Sequence, residues 1–174
     1  WVQTELRPSL RTYPTGFSVT ATAKDEFLIW DQRDQQFWQF GLVKPQISVA
    51  THGQLEAGVS LYPISFVELF SSVAWTNRYY DTKPFDCDLY QCQGTVQRQK
   101  LGARMALQFD SAVGAILLVP TYQQTHLEGE NKKTIVDEEE VLLAHSDWDV
   151  LTSQSLFAGL KWEHQTTGLY YKQS

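Results

Sequence analysis

The segment "HSDWD" sets His145, Asp147 and Asp149 on alternate positions, so an extended chain would hold all three on one face. An imidazole beside carboxylates is the kind of group that takes up and returns a proton during hydrolysis. No other catalytic constellation stands in the sequence: there is no G-x-S-x-G, no glycine-rich phosphate loop and no metal motif. Asp and His are common in polar loops that catalyse nothing. The expectation is therefore a protein that is not an enzyme and uses no cofactor and no metal, with a hydrolase built on His145, Asp147 and Asp149 as an alternative. His52, His126 and His164 have no His or Cys at ligand spacing and read as ordinary polar residues.

The second chemical feature is a pair of thiols. Cys87 and Cys92 lie close together in "FDCDLYQCQG", among polar and turn-forming residues. Exposed cysteines at this spacing suggest a disulfide, which on the chain-entropy model contributes roughly 2 kcal/mol by ordering a small loop. Such a bridge implies an oxidising compartment, a periplasm or a cell exterior. Two free thiols in a cytosolic protein remain the alternative, and no second Cys/His pair favours a metal.

The formal charge is -6, with no Lys/Arg cluster, so a nucleic-acid partner is not expected. Hydrophobic residues make up 43% and charged residues 20%, which separates the chain from disordered compositions. At 174 residues, without an internal repeat or a linker, residues 1–174 read as one domain. The longest aliphatic run, "AILLV" at 115–119, is far too short for a membrane-spanning helix, which needs about 20 apolar residues. Trp1 follows no charged-then-apolar leader, as expected if a signal peptide has been removed or the chain is a fragment.

The elements that must position these groups are strands. Period-2 alternation runs through most of the chain, and no helical stretch exceeds two turns. In "VQTELRPSLRTY", Val2, Thr4, Leu6, Pro8 and Leu10 oppose Gln3, Glu5, Arg7, Ser9 and Arg11. In "FSVTATAKDEFLIW", Phe17, Val19, Ala21, Ala23, Phe27 and Ile29 oppose Ser18, Thr20, Thr22, Lys24 and Glu26, with Asp25 out of phase. "FWQFGLVKPQISVAT" changes register near Gly41, which predicts a bulge or a change of environment there. In "TVQRQKLGARMALQF", Leu101, Ala103, Met105, Leu107 and Phe109 oppose Arg98, Lys100, Arg104 and Gln108. "SLFAGLKWEH" sets Leu156, Ala158, Leu160 and Trp162 against Gly159, Lys161 and Glu163. "TTGLYYKQS" reads as a strand cut short. The count is nine or ten, depending on "EEVLLAH" at 139–145.

Alternation does not say which face is sheltered. A soluble barrel puts the apolar face inside, whereas a transmembrane barrel presents it to lipid and lines its lumen with polar residues. Three features favour the second arrangement. The polar face is rich in small groups such as Ser60, Ser72 and Thr76, interleaved with charges of both signs. Tyr13, Trp75, Tyr79, Trp162, Tyr170 and Tyr171 stand near the ends of apolar stripes, where headgroup-level aromatics belong. Tight turns at "YPIS" (62–65) and "DSAVG" (110–114) alternate with long polar loops at 81–94 and 128–140, which places the N-terminal strand's start on the short-turn side.

With these features, and above all with "LEAGVSLYPISFVELFSSVAWTNRYYD" as two strands joined by a tight turn, the chain resembles a bacterial outer-membrane β-barrel. The resemblance is to a class and covers most of the chain. It implies an all-β, antiparallel, up-and-down transmembrane β-barrel of about ten strands or more, located in the outer membrane of a Gram-negative bacterium. Because the chain ends "YYKQS" rather than on a closing aromatic, the resemblance implies an incomplete C-terminus or a fragment of a larger barrel.

The implied function is a narrow porin-like channel or a surface-displayed structural protein, with membrane lipid and other envelope proteins as partners and a small solute left unspecified. The Cys87–Cys92 loop would lie outside. Lining the lumen would be Glu5, Arg7, Arg11, Lys24, Glu26, Glu56, Glu68, Arg78, Arg98, Lys100, Arg104, Lys161 and Glu163, as a selectivity lining or as pairs that plug it. The competing class is a secreted or periplasmic lipocalin-like barrel that binds a small apolar ligand, although no G-x-W follows the N-terminus.

Overall fold

The structure, a computed structural model, describes residues 2–12, 15–31, 40–51, 53–79, 87–111, 114–129, 133–137, 142–145, 149–162 and 165–173. Within them every regular element is a strand: β1 (Gln3–Thr12), β2 (Thr15–Lys24), β3 (Phe27–Asp31), β4 (Phe40–Ala50), β5 (Gln54–Ile64), β6 (Val67–Tyr79), β7 (Gln93–Met105), β8 (Leu107–Ser111), β9 (Gly114–Gly129), β10 (Thr134–Asp137), β11 (Leu142–His145), β12 (Val150–Trp162) and β13 (Gln165–Gln173).

Eleven of these strands form one antiparallel sheet in the order β1-β2-β4-β5-β6-β7-β9-β12-β13, with β3 beside β4 and β8 beside β9. Two of its strands are interrupted rather than new. Thr20↔Ala50 and Phe27↔Val43 keep one register, so β2 and β3 are parts of a single traverse. Arg104↔Thr121 and Leu107↔Leu118 do the same for β7 and β8. The sheet is thus an up-and-down meander of nine traverses.

That topology bears out the all-β antiparallel expectation, but the sheet is open. Among the described residues β1 and β13 pair with one neighbour each and not with one another. Nine alternating traverses leave the first and last strands running the same way. The antiparallel ladder used throughout the sheet cannot join those two edges directly.

The irregularity anticipated near Gly41 lies across the ladder from it, where the β3–β4 register shifts between Leu28 and Trp30. Gly41 makes this possible, because a Cβ there would run into the Trp30 indole. The long polar segment 128–140 differs from expectation. Its "TIV" forms β10, paired with β11 as a separate hairpin, and Ile135 is fully buried. A lone apolar pair among charges reads as loop in sequence and becomes a strand because it has a place to be buried. "EEVLLAH" likewise contributes β11 to this hairpin and not to the main sheet.

Exposure follows the side-chain period of two, and it is the apolar side that is open. Along β5, Leu55, Ala57, Val59 and Leu61 are exposed, while Gln54, Glu56, Gly58, Ser60 and Tyr62 are half-buried. Leu101 on β7 is 61% exposed, whereas Arg98 is only 8% exposed. A flat single sheet would expose both faces alike, so this difference means that the sheet curls toward its polar side.

The crowding inside that curl is relieved by glycine. Phe70 stands opposite Gly102 in the β6–β7 register, and a Cβ on Gly102 would strike the Phe70 ring and the Tyr122 carbonyl. Gly102→Val is expected to destabilise the folded chain by about 1–3 kcal/mol through overpacking. Ala103→Val, on the open apolar face, should change stability by less than about 0.5 kcal/mol. Urea unfolding of the two variants beside the parent measures both.

Candidate functional site

The polar face is the part of the molecule with chemistry on it, and the strand register orders it into rows. One row runs Glu56, Ala74, Arg98 and Leu127 through β5, β6, β7 and β9. The next runs Gly58, Ser72, Lys100, Thr125 and Leu151, and a third Ser60, Phe70, Gly102, Gln123 and Ser153. A fourth links Glu68, Arg104, Thr121, Ser155 and Lys172 through β6, β7, β9, β12 and β13. Because side chains two apart share a face, each strand contributes one residue per row.

The charges meet mostly between neighbouring strands. Glu68 Oε2 accepts from Arg104 Nη1 at 3.3 Å across the β6–β7 ladder. Glu5 holds Arg7 Nε at 2.6 Å on its own strand and Lys24 Nζ at 3.3 Å on β2. Lys44 Nζ lies 2.6 Å from Glu26 and 5.3 Å from the centre of the Tyr62 ring. The Arg104 guanidinium lies 5.7 Å from the centre of the Phe70 ring. Pairs of this partly exposed kind contribute 0–1 kcal/mol each, and their larger effect is to fix the direction of long side chains.

Of the residues singled out from sequence, Glu5, Arg7, Lys24, Glu56, Glu68, Arg78, Arg98, Lys100 and Arg104 all fall on the polar face, with Arg78 and Arg98 buried. Glu26 joins them through Lys44. Lys161 shares their parity but is exposed near the end of β12. Arg11 is placed by its backbone alone, opposite Gly16 in the β1–β2 ladder. Glu163 and Asp147 lie outside the described residues.

His145 ends β11 opposite Thr134, and the Asp149 carbonyl lies 3.3 Å from His126 Nδ1, a histidine that the sequence did not single out. Lys44 and Lys172 also went unremarked, and Tyr170 reads from sequence only as a headgroup-level aromatic. The signal for Lys44 was hidden by the register change at Gly41. The signal for Lys172 was available, since Tyr170 and Lys172 continue the parity of Gly168.

One end of the polar face is covered. The Cys87–Cys92 disulfide is formed, with a Cα separation of 5.4 Å. Cys87 is exposed as anticipated, but Cys92 is buried at 5% exposure because β7 starts immediately after it and draws it into the sheet. Gln91 N donates to the Thr134 carbonyl, Lys133 Nζ donates to the Cys87 carbonyl at 2.7 Å, and Tyr90 bridges to Thr134. These contacts hold the β10–β11 hairpin so that Ile135 packs on Val96 and Leu127, with Leu151 at the edge. Val96 and Leu127 belong to the polar-face parity, so this small apolar cluster is a cap on the inner side of the sheet.

The connections at the capped end are long only in the second half of the chain. The turn before β5 at the same end is tight, with Gly53 at a positive φ of 84°. At the opposite end β5 and β6 are joined by Ser65 and Phe66 alone. The start of β1 lies at that opposite end, but so does the connection from Asp31 to Phe40, so the expected separation of short turns from long loops holds only from β5 onward.

Comparisons of the chain with protein-family models, with curated proteins and with solved structures give no match. The geometry alone therefore defines the class: an open, antiparallel, up-and-down sheet with an apolar exposed face, a polar sheltered face and a disulfide-tied cap.

Replacing both Cys87 and Cys92 by Ser is expected to lower stability by about 2 kcal/mol, the value for so short a closed loop. The loss should be local. Amide hydrogen exchange should quicken at Gln91 and Ile135, which the loop holds in place, and stay unchanged at Ser72 and Lys100 in the middle of the sheet.

Proposed function

We propose that this chain forms the wall of an outer-membrane β-barrel of a Gram-negative bacterium, with its apolar face against lipid and its polar face lining a narrow lumen. The observation that carries the reading is the inverted exposure. Leu55, Leu61, Leu69, Leu101, Leu156 and Leu160 stand open on one side while Arg78, Arg98, Ser72 and Thr125 are buried on the other. In water this arrangement is unfavourable, since leucines left 37–61% exposed forgo part of the roughly 1.5–3 kcal/mol that full burial of each contributes, and each buried arginine must be desolvated. In a bilayer it is the favourable one, because lipid takes up the apolar face and the backbone is satisfied within the ladder.

Strand length supports the same reading. β4, β5, β6 and β12 have 11, 11, 13 and 13 residues, enough to cross a bilayer at the usual tilt. The cap, with its disulfide, lies on the outer side in this orientation, where bridges persist. Within the lumen, the ion pairs of Glu68 with Arg104 and Glu5 with Lys24 narrow the passage, which favours a small pore or a plugged, surface-displayed barrel over a wide porin. A lipocalin-like soluble barrel would need the apolar face sheltered, the opposite arrangement.

The chain should fold only in detergent or lipid and should show a heat-modified shift in gel mobility. Monodisperse folding in plain buffer would overturn the reading. Within the folded protein, Leu101→Arg should destabilise by about 2–4 kcal/mol, as a lipid-facing arginine near mid-bilayer does. Ser153→Lys, on the polar face beside an open groove, should change stability by less than about 1 kcal/mol. Urea titration in detergent micelles compares the two, and equal losses would count against lipid contact.

A further inference from the structure

The polar face is not uniformly filled. Between β7, β9, β12 and β13 it holds a cavity of about 420 Å³, a size suited to a small organic molecule. Its lining divides in two. On one side stand Arg104, Thr121, Ser155 and Lys172, which are consecutive members of one register row, with Gln123 and Ser153 in the row beside it. On the other stand Val119, Phe157 and Tyr170, again one row, since Phe157 pairs with both Val119 and Tyr170. One wall is therefore a line of hydrogen-bond donors with a guanidinium at one end and an ammonium at the other. The adjacent row on the same face is an apolar ledge with an aromatic face.

Among the described residues no carboxylate lines this cavity. Glu68, the partner of Arg104, stands outside it and its side chain is only 14% exposed, whereas the Arg104 side chain is 50% exposed. Glu68 engages Nη1 of Arg104, and a guanidinium has five N–H donors, so one carboxylate contact leaves donors for another acceptor. Lys100 stands two same-face positions before Arg104 on β7, with Gly102 between them, and lies outside the lining. The ledge is kept open by glycine: Phe157 lies over Gly159 and Gly168, where any Cβ would collide with its ring.

We propose that this groove binds small organic carboxylates with an apolar or aromatic body, the carboxylate on Arg104 and Lys172 and the body against Phe157 and Tyr170. The proposal rests on the reading of the polar face as a lumen wall and names the solute class that such a lumen would favour. The planar fork of Arg104 suits a carboxylate, and Thr121 and Ser155 supply neutral donors between the two cations. The ledge discriminates against bare inorganic anions, which gain nothing from it.

The test uses the full chain folded in a zwitterionic detergent, with benzoate as probe and benzylammonium as its counterpart of opposite charge and similar body, both titrated by calorimetry. Saturable binding of benzoate with none of benzylammonium is expected. Lys172→Gln is the first variant, because Lys172 is exposed on the edge strand β13 and its replacement leaves the sheet intact. It should weaken benzoate about tenfold. Arg104→Gln should weaken it at least as much, and Arg104→Lys by an intermediate factor.

Equal binding of the two probes, or benzoate binding indifferent to both Gln substitutions, would overturn the proposal. A chain that shows detergent-dependent folding and a mobility shift but ignores benzoate sinks this inference and leaves the membrane reading standing. A chain that folds in plain buffer sinks the membrane reading, and the same titration then still decides whether the groove takes carboxylates.

Discussion

The structure depends on one continuous antiparallel ladder in which register and side-chain period stay in step over most of the central strands. From Gln54 opposite Thr76 in β5 and β6 to Lys161 opposite Ala115 in β12 and β9, register partners share a face. A slip of one residue anywhere would turn a strand's leucines inward and its charges outward. The two-sided character of the sheet, the rows on its polar face and the groove between β7 and β13 all follow from this alignment. Among the described residues its register shifts, near Leu28 and at Leu61 to Ile64, sit close to strand ends.

A curled sheet with polar residues inside faces a problem of volume and of charge. Volume is relieved where glycine stands beside a large inward ring: Gly102 beside Phe70, Gly159 and Gly168 beside Phe157. This arrangement lets a ring lie flat on the backbone, which protects the ladder where a side chain is missing. Charge is managed by pairing between adjacent strands, as in Glu68 with Arg104, so that few long side chains reach across the interior. The remaining space collects where β9, β12 and β13 bring Thr, Ser and Gln side chains together.

The cap adds a separate layer of organisation. The cluster of Val96, Leu127 and Ile135 is the only fully apolar buried cluster among the described residues, and it lies at the end of the sheet, away from the middle. In a soluble β-protein the apolar core lies in the middle. Here the middle is polar and the apolar contact serves to seat the β10–β11 hairpin, which the Cys87–Cys92 loop ties down through Lys133 and Gln91. The sheet's edges, by contrast, are uncovered: β13 is exposed along Thr166–Gln173 on both faces, and Val2 to Pro8 of β1 are nearly so.

The strands and their faces were legible in the sequence because a period of two is a local property. Ser60, Glu68, Arg98, Lys100 and Arg104 declare their side by parity alone, and the tight turn at Ser65 and Phe66 lies within two residues of its expected place. Three things were decided only by tertiary structure. Which face is sheltered depends on the direction in which the sheet curls, a property of the whole and not of any strand. The fate of "TIV" at 134–136 depends on whether Val96 and Leu127, some 40 and 10 residues before it, offer an apolar seat. The groove depends on register between strands distant in sequence, since Arg104 and Lys172 meet in one row only after β9 and β12 are set between them. Alternation fixes a side chain's face within its strand, and only pairing between strands determines its neighbours.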